Sequence, residues 1–132
     1  MSITKNAGRQ EVISAYVDVA LADLTSGAAA AAIDLPPGAV VVGGDVVVDT
    51  AFDSGTSDAI VVGDASVANR YLTSTSIAAT GRTALVPTGF KVTAAQPAVA
   101  VTWTGVGTAA TVGALRLRVD YIVRGRSFFT QS

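Results

Sequence analysis

The run from Leu115 to Arg124 constrains the fold more than any other stretch. Leu115, Leu117, Val119, Tyr121 and Val123 alternate with Arg116, Arg118, Asp120, Ile122 and Arg124. A period of two sends the first set to a core and the second, charged apart from Ile122, to solvent. Residues 11–21 repeat the pattern, with Ile13, Ala15, Val17, Val19 and Leu21 opposite Ser14, Tyr16 and Asp18. A strand with one wet face must cover its other face with a second layer, so packed antiparallel sheets are expected.

The remaining chain is cut into short pieces by turn residues. Ala28 to Ile33 suits a helix by alanine propensity, with Thr25 or Ser26 as cap. The short distance to Pro36-Pro37-Gly38 favours a strand, with that triplet as the turn. Residues 39–52 form a Val-rich block expected to give two strand pieces with a bulge or bend at Gly43-Gly44. Residues 53–58 read as a turn and 59–62 as a short strand ending at Gly63-Asp64. Residues 64–83 are polar and irregular apart from Tyr71-Leu72. Strand signals resume at 84–86, 89–93 and 98–104. Gly105 to Gly113 is a loop, and Gly125 ends the last strand before Arg126 to Thr130. About eight to ten short strands without a convincing helix predict an all-β, single-domain sandwich or barrel over residues 11–132. Residues 1–10 are expected to be a flexible N-terminal arm.

Composition narrows the chemistry. The 132 residues include no His and no Cys, and half are apolar. General acid–base work usually recruits His, and nucleophilic or metal chemistry often recruits Cys or His, so a building block is expected rather than a catalyst. Missing Cys fits assembly inside a cell. No apolar run reaches the roughly 18–20 residues that cross a bilayer, and the polar start Met1 to Asn6 leads into no signal core. The chain is therefore expected to be made in the cytoplasm and to bind no membrane.

The formal net charge of −1 gives no bulk attraction to nucleic acid, but the charges are segregated. Residues 11–64 carry nine acids and no base, whereas 65–132 carry seven bases and one acid, Asp120. Either acidic and basic strands neighbour each other in one sheet, or an acidic surface of one subunit meets a basic surface of the next. Arg116, Arg118, Arg124 and Arg126 resemble a nucleic-acid stripe only weakly, because aromatics do not interleave with them beyond Tyr121; pairing with acidic strands is the expectation. Phe128-Phe129 either plugs the bottom of the core or anchors into a neighbouring subunit.

Phe52-Asp53-Ser54-Gly55-Thr56 resembles the active-site segment of aspartic proteases, whose chemistry needs two aspartates sharing a proton. A retropepsin-like enzyme would use Asp53 from each half of a dimer. The family's apolar–apolar–Gly element finds only Thr111-Val112-Gly113, no flap hairpin is clear, and Asp-Ser-Gly is ordinary turn chemistry. Asp45, Asp49, Asp53, Asp58 and Asp64 do not match calcium-loop spacing and read as solvated loop acids. Lys91 lacks a Ser–x–x–Lys partner, and Gly105-Val106-Gly107 lacks the rest of a phosphate loop. Trp103, between Thr102 and Thr104, is expected in the core rather than as a sugar platform. No catalytic residue, cofactor, metal or small-molecule substrate is expected.

Leu35-Pro36-Pro37-Gly38-Ala39-Val40, Phe52 to Asp58, Val62-Gly63-Asp64 and Arg70-Tyr71-Leu72 together resemble small virion proteins of tailed bacteriophages, of the head decoration (cement) type, over roughly residues 11–124. The resemblance implies a jelly-roll-like β-sandwich with an extended N-terminal arm, assembling as a homotrimer on the major capsid protein at the capsid surface and tying capsomers together. A tail or fibre component is the alternative within the class. The expected assembly interface comprises Lys5, Arg9, Arg116, Arg118, Arg124, Arg126, Phe128 and Phe129.

Overall fold

The structure is a computed structural model and describes residues 12–95 and 97–123. The described residues form eight strands: β1 (Ile13–Ala20), β2 (Ala29–Asp34), β3 (Ala39–Thr50), β4 (Ser57–Gly63), β5 (Leu72–Ser76), β6 (Gly81–Ala84), β7 (Ala98–Val106) and β8 (Ala114–Val123). They make two four-stranded sheets, in the orders β1-β8-β3-β6 and β2-β7-β4-β5. All pairings are antiparallel. This is the expected single-domain β-sandwich.

The alternation seen in the sequence builds the core directly. β8 lies between β1 and β3, and its Leu115, Leu117 and Val119 are buried against the other sheet. There they join Val41, Val46 and Val48 of β3 in one cluster with Ile60, Val62, Val99 and Val101. Trp103 is buried in the same cluster, its ring tilted at 43° to that of Phe52 with centroids 5.8 Å apart.

Three expectations need correction. Residues 39–50 are one strand, not two pieces, although the bulge falls at the glycines: pairing with β8 shifts register between Val41 and Gly43. Gly44 sits there with φ +137°, and a Cβ on it would lie 2.2 Å from the Arg118 carbonyl oxygen, so the strand continues only because no side chain intervenes. The stretch 64–83 is not irregular throughout, since it holds β5 and most of β6. Both are edge strands with polar sequences, Leu-Thr-Ser-Thr-Ser and Gly-Arg-Thr-Ala, so they carry little hydrophobic signal. Residues 89–93 form no strand; a single bridge joins Lys91 to Val40. Elsewhere the alanine run is a strand, and residues 21–23 close β1 with a turn of 3₁₀ helix in which the Asp23 carboxylate accepts the Ala20 amide at 2.9 Å.

Candidate functional site

The outward face of the β1-β8-β3-β6 sheet gathers charged groups from both halves of the chain. Register places Asp18 beside Arg116, Tyr16 beside Arg118, and Ser14 beside Asp120 on β1 and β8; on the other flank of β8, Asp45 of β3 lies beside Arg118. The Asp45 carboxylate accepts from Arg82 Nε at 2.7 Å and from Arg118 at 3.3 Å, and Asp120 lies 3.7 Å from the same Arg118 nitrogen. Ser14 Oγ donates to Asp120 at 2.5 Å. The segregated charges thus meet within one sheet. Arg118 is drawn into that network, while Arg116 is exposed and makes no ion pair among the described residues. Ser14, Tyr16, Asp18, Arg116 and Arg118 line an open groove across this face, from which Tyr16 projects with 70% of its surface exposed.

Of the expected interface residues, only Arg116 and Arg118 can be located; Lys5, Arg9, Arg124, Arg126, Phe128 and Phe129, like the expected arm over residues 1–10, lie outside the described residues. Ile13 pairs with Tyr121, so the chain enters β1 and leaves β8 side by side at one end of the sheet. At that end the outward face turns apolar, with Val12, Val42 and Ile122 all exposed or half-exposed and Val40 paired to Ile122. The alternation had marked Ile122 as an exception and put Tyr16 outward, but no sequence pattern said that Val40 and Val12 would join that row.

The second sheet presents a different surface. Ala29, Ala31, Thr102, Thr104, Ala59 and Val61 occupy neighbouring outward positions, with Ser57 and Ser74 at its margin. These small side chains carry no formal charge.

The five aspartates do not behave as solvated loop acids alone. Asp49 and Asp53 are exposed, but Asp45, Asp58 and Asp64 are buried. Asp58 and Asp64 have both carboxylate oxygens engaged by donors, as burial of a charge requires, whereas Asp45 accepts through Oδ2 alone and its buried Oδ1 has no partner among the described residues. Asp58 Oδ1 accepts Trp103 Nε1 at 2.9 Å and Ser54 Oγ at 2.6 Å, while Oδ2 accepts the Ser54 amide at 2.9 Å. Asp64 Oδ1 accepts the amides of Ser66 and Val67 at 2.9 and 2.8 Å, and Oδ2 accepts Arg70 Nε at 2.5 Å. Among the described residues no group of three acidic side chains is arranged to hold a metal ion.

Asp53, the protease-like residue, ties the turn after β3 to the 107–113 loop. Its Oδ1 accepts the amides of Thr111 at 2.6 Å and Val112 at 3.1 Å, and Oδ2 accepts Thr111 Oγ1 at 2.5 Å. The Thr111 hydroxyl and these amides hold the carboxyl below its ordinary value, which stabilises the ionised form rather than a shared proton.

No protein-family model and no curated protein sequence match the chain. Its fold is similar to that of chains in three solved structures. A chain of the Cyanophage Pam1 capsid asymmetric unit matches at TM-score 0.72 and 24% identity, covering 93% of this chain and 92% of that one. A chain of the capsid of Ralstonia phage GP4 matches at 0.65 and 16%, covering 92% and 91%. A chain of the acid-stable capsid of Helicobacter pylori bacteriophage KHP30 matches at 0.66 and 18%, covering 89% and 93%.

Proposed function

We propose that this chain is a structural protein of a tailed-bacteriophage virion, and within that class a head decoration protein. It would bind the major capsid protein on the assembled shell as a homotrimer and stabilise contacts between capsomers. The observation that carries this reading is the end-to-end fold match: chains from three phage capsid structures align over 91–93% of their own length. Each is therefore a sandwich of about this size, not one domain cut from a much larger subunit. A small separate sandwich suits an accessory bound to a shell.

The strand orders β1-β8-β3-β6 and β2-β7-β4-β5 support a jelly roll, in which an eight-stranded chain alternates between sheets as two interlocked Greek keys. A structural rather than enzymatic role is supported by Asp53, whose carboxylate is occupied by Thr111 and Val112. A tail or fibre component is the second reading, and the capsid origin of all three similar chains favours the head. The homotrimer would have a solution mass three times the 13.2 kDa of one chain, about 40 kDa.

The protein composition of purified particles, after separation of heads from tails, tests this. The decoration reading expects the chain in the head fraction at a fixed ratio to the major capsid protein. Recovery with tails favours the second reading, and absence from both overturns the virion assignment.

A further inference from the structure

The edge strands of the sandwich are β1 and β6 in one sheet and β2 and β5 in the other. Three of them carry a device that discourages a further strand from pairing. β6 is four residues long, and the ladders of β2 and β5 are each broken by a register shift. β1 carries no such device. Its eight residues pair with β8 without a break, and they include no Pro, Lys or Arg. One side of its backbone is spent on β8, and among the described residues no strand takes the other.

β1 also borders an opening into the core. It runs beside β2 along one side of the sandwich, and an open cleft of about 350 Å³ lies between them. Val19, Leu24 and Val101 of the core line this cleft, together with Val17 of β1 and Ala30 and Ala32 of β2. The volume is more than twice the roughly 150 Å³ that accommodates a benzene ring in an apolar cavity. The inward side chains of β1 ahead of Val19 are Ile13, Ala15 and Val17, all half-buried. The core is therefore incompletely covered along this edge, where further apolar burial is favourable.

We propose that an extended segment of another protein adds to the β1 edge as a further strand, with aliphatic side chains at alternate positions over the cleft and a Lys or Arg beside Asp18 and Asp23. Backbone hydrogen bonds to β1 supply the affinity of such an addition, and the alternate side chains supply its selectivity. The charge of the segment follows from the lining, whose charged members are Asp18 and Asp23. Asp18 is exposed and makes no ion pair among the described residues, even with Arg116 beside it in register. Asp23 gives one carboxylate oxygen to the Ala20 amide. The same charges disfavour a second copy. An antiparallel β1 would bring its own Asp18 to an edge that is already acidic. β2 ends on Asp34, β5 has no base, and Arg82 of β6 is engaged by Asp45. The inference concerns one edge of the chain and stands apart from the virion reading.

The test uses the full isotope-labelled chain and the peptide acetyl-Lys-Val-Thr-Val-Lys-Val-Thr-amide, with amide exchange and chemical shifts followed by NMR. In the free chain, the β1 amides that do not bond to β8 should exchange readily. The peptide should slow them saturably and shift the methyl signals of Val17, Val19 and Val101. Glu in place of both peptide lysines, or Asp18→Lys in the protein, should weaken binding by about tenfold or more. Methylation of the peptide nitrogens that face β1 should abolish it. Edge amides already protected in the free chain, shifts confined to other edges, equal binding of the Glu peptide, or no response up to roughly millimolar peptide would each overturn the proposal. Protection of the same amides that grows with protein concentration alone would assign the edge to a second copy, and overturns it equally.

Discussion

The Trp103 indole donates its N–H to the Asp58 carboxylate at 2.9 Å, and both side chains are buried. The bond joins β7 to the start of β4 in the middle of the second sheet, and the same carboxylate fixes the preceding turn through the Ser54 amide and hydroxyl. Three donors converge on a group with no cation beside it among the described residues. Asp58→Ala would strand the indole N–H and the Ser54 amide, at roughly 1–3 kcal/mol for each unsatisfied donor. A destabilisation of about 2–4 kcal/mol is expected in denaturant unfolding, with a red shift of Trp103 emission in the folded state. A variant as stable as the parent would show that the network is incidental.

Asp64 gives the fold an acid sensitivity of defined sign. Burial pushes its carboxyl up, but the Arg70 hydrogen bond, the amides of Val67 and Ser66 and the Arg70 charge together hold it below the ordinary 3.8. A depressed folded value contributes stability that is complete above 3.8 and lost as pH falls through the folded value. Melting temperatures measured from about pH 7 down to about pH 3 should therefore fall at the acid end. Asp64→Asn should flatten that fall. Arg70→Gln should flatten it in part, because the two amides remain. An unchanged acid limb in Asp64→Asn would remove Asp64 from the account.

The same loop depends on Gly63 for a reason of space. A Cβ there would lie 2.2 Å from the Val67 carbonyl oxygen and 2.5 Å from Ala68 backbone atoms, and backbone cannot swing aside as a side-chain end can. Gly63→Ala should cost about 3 kcal/mol or more, the upper end of overpacking effects. Gly38→Ala, at φ +90° with open space around it, should cost only the backbone strain of about 1–2 kcal/mol. Reversal of that order in equilibrium unfolding would contradict the packing of this loop.

Asp45 and Arg82 form an ion pair whose two ends differ in worth. Asp45 is buried, whereas the Arg82 side chain is 57% exposed on an edge strand. Arg82→Ala leaves Asp45 its contact with Arg118 and should cost less than about 1 kcal/mol. Asp45→Ala leaves Arg118 with Asp120 at 3.7 Å and opens a gap beneath it, so it should cost about 2–3 kcal/mol. Equal effects of the two substitutions in chemical denaturation would contradict this asymmetry.

The elements most legible in the sequence were those whose hydrophobic period reports burial directly. β1 and β8 follow their alternation, and Trp103 lies in the core as its place in a strand implied. β5 and β6 were illegible because edge strands made of Ser, Thr, Gly and Arg owe their place to ladder partners supplied by β4 and β3, which lie elsewhere in the chain. The burial of Asp45 and Asp58 was illegible for a related reason. An aspartate reads as solvated until the donors around it are known, and Trp103, Arg118 and Arg82 are all distant in sequence. At the candidate surface the charges were legible, and the apolar row beside them emerged only once register aligned Val40 with Ile122.

The proposed role has this sandwich bind a phage head. Cosedimentation of the purified chain with phage heads that lack it tests the proposed role most directly. The account predicts saturable binding at a fixed ratio to the major capsid protein, with heads that resist heat better once occupied. A folded chain that stays in the supernatant at every concentration would contradict it.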